Sequence, residues 1–126
     1  MQRILCALPS LGLLLPSVES LGQSDNFLPI ESEADFFSLV VGKKLTRINS
    51  SSEAILNANG TLTGTGTGGG GSFSGTWYWD AKYFCRELDL SGDAGRLDCQ
   101  TVEFDGKLVR FTIDRGKGEA RVWKLP

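Results

Sequence analysis

Residues 83–104 run YFCRELDLSGDAGRLDCQTVEF, with two cysteines flanking a turn. Cys85 and Cys99 stand equidistant from Gly92, at the centre of the turn-forming Ser91-Gly92-Asp93. A hairpin folded at Gly92 places the two sulfurs opposite each other, so the pattern predicts a disulfide between antiparallel neighbours. Neither cysteine belongs to a C-x-x-C, and the chain has no histidine, which argues against a redox or metal pair. Disulfides persist outside the reducing cytosol. Closing a loop of about 15 residues contributes roughly 3 kcal/mol in the chain-entropy account.

On both sides of this hairpin, short alternating stretches recur along the chain. Strands are expected over 44–48, 53–56, 61–65, 72–80, 83–90, 97–104, 107–113 and 119–125. Between them stand turn signals: Asn57-Ala58-Asn59-Gly60, Asp80-Ala81-Lys82, Asp105-Gly106 and Arg115-Gly116-Lys117-Gly118. Tight connections force antiparallel neighbours, because parallel pairs need long crossovers. About eight strands in order predict a mainly β, antiparallel meander barrel, which removes exposed sheet edges; a β-sandwich is the alternative. A barrel of that size encloses side chains or one small ligand.

One helix is expected before the strands, over 32–41. Ser32 is its N-cap with Asp35 three residues on, and Gly42 fits the C′ position. Such a helix would plug or cap the sheet. Earlier still, Arg3 precedes an apolar run over 4–15, and small residues follow at Val18-Glu19-Ser20. That is the plan of a secretory signal, too short to span a membrane. The expected organisation is therefore a signal peptide over 1–20, an N-terminal segment with the short helix over 21–42, and the barrel domain over 43–126. The expected location is the periplasm or the outside of the cell.

The chain holds 13 Lys and Arg against 15 Asp and Glu, a net charge of −2, which gives no electrostatic case for nucleic-acid binding. Acid gathers early (Asp25, Glu31, Glu33, Asp35) and base late (Arg110, Arg115, Lys117, Arg121, Lys124). Without histidine, serine–histidine and cysteine–histidine nucleophiles and histidine-ligated zinc are excluded. Gly64-Thr65-Gly66-Thr67-Gly68-Gly69 matches G-x-G-x-x-G, yet a strand pattern follows it instead of the helix a nucleotide cradle requires. Phe73, Trp77 and Trp79 share one strand face and are candidates to line an interior cavity for a small apolar ligand. Arg115, Gly116 and Lys117 form a candidate anion-binding turn. Glu87, Asp89, Asp98 and Glu103 supply carboxylates for a conceivable acid/base pair.

Four segments together carry a resemblance: Gly75-Thr76-Trp77-Tyr78-Trp79, Tyr83-Phe84-Cys85-Arg86, Asp98-Cys99-Gln100-Thr101-Val102 and Arg110-Phe111-Thr112-Ile113-Asp114-Arg115-Gly116. Over roughly 38–125 the chain resembles a family of small exported bacterial proteins of the rhodobacterial group, with no established activity. Members are sometimes catalogued as dihydrodipicolinate reductase. A true reductase of that name pairs a Rossmann domain with a substrate domain at more than twice this length. Its histidine-rich, lysine-bearing motif has no counterpart here. The resemblance thus implies a location and a shape, and transfers no catalytic residues. The plan is also similar to lipocalin-type barrels and to the bacterial metalloprotease-inhibitor barrel, as fold analogy.

The expected function is a non-catalytic, exported binding or interaction module of the cell envelope, without cofactor or metal. Its partner would be a small apolar ligand or an envelope protein. One alternative is a barrel-type protease inhibitor presenting an open segment over 21–30. The other is the NAD(P)H-dependent reductase that the catalogue name implies.

Overall fold

A computed structural model describes residues 26–66 and 71–126. The expected signal segment lies outside the described residues, as does most of the glycine run. The elements, in chain order, are β1 (Leu28–Ile30), α1 (Glu33–Leu39), β2 (Lys44–Arg47), β3 (Glu53–Leu56), β4 (Thr61–Thr65), β5 (Ser72–Asp80), β6 (Tyr83–Leu88), β7 (Asp98–Phe104), β8 (Leu108–Thr112) and β9 (Ala120–Lys124). Strands β2 to β9 pair antiparallel in sequence order, and β9 returns to β2 through Trp123↔Arg47, closing an eight-stranded barrel. Followed once around, the pairing register advances by about twelve residues, more than the strand number, so the strands tilt steeply and enclose a wide interior.

The cysteine hairpin forms as its spacing requires. Cys85 pairs with Cys99 in register, and the two are disulfide-bonded across a sequence separation of 14. The connection at Gly92 is longer than a tight turn, because a single 3-10 turn, Gly92–Gly95, is folded into it. Elsewhere the turn chemistry acts directly. Gly106 adopts φ 103°, while the Asp105 carboxylate accepts from the amides of Lys107 (2.8 Å) and Leu108 (2.6 Å). Those bonds hold the Asp105 carboxyl below its ordinary pKa.

The helix caps as expected at its start, where the Ser32 hydroxyl accepts from the Asp35 amide at 3.1 Å. Its end differs by one position. Val40 is the C-cap, and Gly42, with φ 84°, follows one residue beyond the expected C′ place. The reason is tertiary: the Gly42 amide donates to the Leu56 carbonyl at 2.7 Å, tying the helix exit to the end of β3. From that position α1 closes one end of the barrel. Phe36 is fully buried, with its ring 4.8–6.4 Å from those of Trp77, Trp79, Phe84 and Phe111. Val40, also fully buried, joins the same core.

One strand was not foreseen. Within the stretch expected as an open segment over 21–30, Leu28–Ile30 forms β1 and pairs with β7 from Leu28↔Phe104 to Ile30↔Val102. The cause is a mismatch in strand length. Strand β6 pairs with β7 only over Phe84 to Arg86, leaving Val102 to Phe104 without a β6 partner. Strand β1 covers that edge, and its Pro29, which has no N–H, is tolerated as edge strands allow.

Candidate functional site

Alternation decides which side chains enter the barrel. Those pointing inward include Leu45 and Arg47 on β2, Ala54 and Leu56 on β3, Phe84, Arg86 and Leu88 on β6, and Arg121 and Trp123 on β9. Phe36 fills the helix end. Towards the opposite end the interior holds a cavity of about 220 Å³, to which all eight barrel strands contribute lining residues. Its floor is apolar: Leu45, Ala54, Leu56, Leu62, Phe84 and Phe111. Its upper wall carries three guanidinium groups, Arg47, Arg86 and Arg121, together with Gln100 and Ser52.

Each arginine is held differently. Arg86 donates from Nη1 to the Arg96 carbonyl at 2.9 Å, which anchors it to the β6–β7 connection. Burial lowers its pKa from the ordinary value, Asp98 opposes that, and the positive charge of Arg121 adds to it. Arg121 pairs with Glu119 at 3.4 Å on the exposed rim. Arg47 lies with its guanidinium carbon 5.4 Å from the Trp123 ring centre. Its Nε is buried and finds no hydrogen-bond partner among the described residues. Burying such a donor without a partner is costly, and native structures rarely leave one so.

Two glycines shape this space. A Cβ on Gly64 would strike the Glu53 carbonyl and the Phe73 ring, so glycine there lets Phe73 lie across β4. A Cβ on Gly75 would collide with the Glu87 carbonyl and the backbone of Leu88. The G-x-G-x-x-G match therefore begins inside a strand and is followed by β5, with its first glycine used for close packing.

The expected site residues separate. Phe73 reaches the cavity wall. Trp77 and Trp79 lie against the plug helix instead, with Trp77 Nε1 bonded to the Asn57 carbonyl at 2.9 Å and Trp79 Nε1 to the Ala81 carbonyl at 2.8 Å. The turn at Arg115, Gly116 and Lys117 uses its amides internally: Gly116 donates to Ile113, and Lys117 to Asp114. The amide of Asp114 donates to the Asp98 carboxylate at 3.0 Å, so the anion met by this turn is the chain's own. Arg115 stacks over Tyr83 at 5.5 Å, outside the cavity. The four carboxylates do not converge. Asp98 faces Arg86 and Gln100, whereas Glu103 pairs with Arg110 at 2.8 Å on the opposite face of β7. The late basic residues split likewise, Arg121 inward and Arg110 outward beneath Phe27.

The arginine wall was missed in the sequence, although its signal is there. Leu45-x-Arg47, Phe84-x-Arg86-x-Leu88 and Arg121-x-Trp123 each place an arginine in phase with apolar inward neighbours. Among the described residues no group of three or more His, Cys, Asp or Glu is placed to hold a metal. No described helix is long and apolar enough to cross a membrane. Comparison with protein-family models, curated proteins and solved structures gives no match.

Proposed function

We propose that this domain is a non-catalytic binding module, exported from the cytosol, that holds a small solute inside its barrel. The observation that carries the reading is the unequal filling of the interior: Phe36 and Val40 pack one end solid, while about 220 Å³ stays open above an apolar floor. Cores normally close to near-crystalline density, so a space shared by eight strands and bounded by three arginines is a built feature of the barrel. The Cys85–Cys99 disulfide supports export. A non-catalytic role fits a wall of guanidinium groups, which are always protonated and so make poor proton-transfer groups.

The test is native mass spectrometry of the protein after incubation with a mixture of small lipophiles and metabolites, alongside tryptophan fluorescence. The wild type should capture a species that Ala54→Phe, which fills the floor, does not. Equal capture by both, or capture by neither, would overturn the reading.

A further inference from the structure

We infer that the solute is a small organic monoanion: a carboxylate on an apolar body of roughly six to ten carbons. This rests on the cavity being the binding site. Three guanidinium groups border the space (Arg47, Arg86, Arg121). Two carboxylates answer them, Asp98 beside Arg86 and Glu119 beside Arg121. One positive charge is left over, and Arg47 is the arginine whose buried Nε has no partner among the described residues. A single carboxylate satisfies the surplus charge, because a planar guanidinium matches a carboxylate through two parallel bonds. A neutral solute would leave the charge surplus, and a cation would add to it.

Asp98 is already committed. It accepts from Gln100 Nε2 at 3.0 Å and from the Asp114 amide at 3.0 Å, so the chain has satisfied this carboxylate and fixed it beside Arg86. That fixed pair leaves Arg86 in place without drawing it away from the cavity. Below the charged wall, Leu45, Leu56, Leu62 and Phe84 offer no polar partner, so the rest of the solute is hydrocarbon. The cavity is smaller than a drug-sized pocket, which bounds the chain length. Head and tail are thus read by different walls of the same space.

The experiment is calorimetric titration of the wild type with octanoate, 1-octanol, octylamine and octyl phosphate at pH 8, repeated with Arg47→Gln and Arg121→Gln, each first checked for a native melting transition. Octanoate should bind at least tenfold more tightly than octanol, octylamine should not bind, and either variant should shrink the octanoate preference to a few-fold while octanol affinity holds. Octanol equal to octanoate would overturn the monoanion and leave the cavity reading intact. Tighter binding of octyl phosphate would replace the monoanion by a dianion. Failure of all four probes, with Ala54→Phe also indistinguishable in the capture assay, would remove the cavity reading itself.

Discussion

Replacing Phe36 by alanine tests how the barrel is held shut. The helix has only seven residues, far fewer than an isolated helix needs in water, so packing must hold it in place. Phe36 is its anchor: fully buried, with four aromatic neighbours whose ring centres lie 4.8–6.4 Å away. Phe-to-Ala changes in cores cost about 3–5 kcal/mol, from lost transfer energy and the cavity left behind. The surrounding rings are fixed by the barrel and cannot collapse far, which points to a loss of about 4 kcal/mol. Aromatic pairing energies are not added on top, since much of each is already counted in burial. A domain of this size has a total stability of only about 5–15 kcal/mol. The melting temperature should therefore fall on the order of 20 °C. Urea unfolding followed by circular dichroism and tryptophan fluorescence reads this directly. Phe37→Ala is the control, because that ring is 37% exposed and, among the described residues, has one aromatic neighbour, Trp77, so its loss should stay near 1 kcal/mol. If Phe36→Ala costs no more than Phe37→Ala, the plug account is wrong.

Three further outcomes follow from the same geometry. Replacing both cysteines by serine should cost roughly 3 kcal/mol, read as a lower urea midpoint, because the disulfide closes a loop of 14 residues' separation; an unchanged midpoint would refute its stabilising role. Gly75→Ala should destabilise by about 1–3 kcal/mol, since the new methyl meets the Glu87 carbonyl and the Leu88 backbone, neither of which can step aside; a neutral result in thermal melts would count against the tight β5–β6 packing. The Asp105 carboxyl should titrate by NMR below the ordinary aspartate value of about 3.9, held down by the amides of Leu108 and Lys107. Because its folded pKa is lowered, its contribution to stability is full above that ordinary value and is lost as pH falls through the folded one. An ordinary or raised value would contradict the turn geometry.

The strand plan was legible because local rules and the closed barrel agree. Turns at Asn59-Gly60 and Asp105-Gly106 fix where strands end, and alternation through Phe73, Trp77 and Trp79 fixes which face turns inward. The disulfide was legible for the same reason: its symmetry about Gly92 is a statement about register. What the alternation does not contain is how far along the barrel each inward residue lies, or what covers it. Trp77 and Trp79 face inward as expected, yet α1 arrives at their end and fills it with Phe36. The vacant end belongs to Arg47, Arg86 and Arg121, which stand on three different strands and meet only after the barrel closes through Trp123↔Arg47. Arginine in a strand reads as a solvated residue unless its phase is followed. Strand β1 was hidden for a related reason, since Leu28-Pro29-Ile30 is too short to show alternation and pairs only because β7 outruns β6.

An anion bound at the unfilled end of this barrel must perturb its inward arginines. Nitrogen-15 NMR of the guanidinium Nε–H groups during an octanoate titration follows those side chains one by one. Saturable shifts should appear at Arg47, Arg86 and Arg121, largest at Arg47, with Arg110 and Arg115 on the outer surface unmoved. Shifts confined to Arg110 and Arg115, or no saturable shift at Arg47, would contradict it.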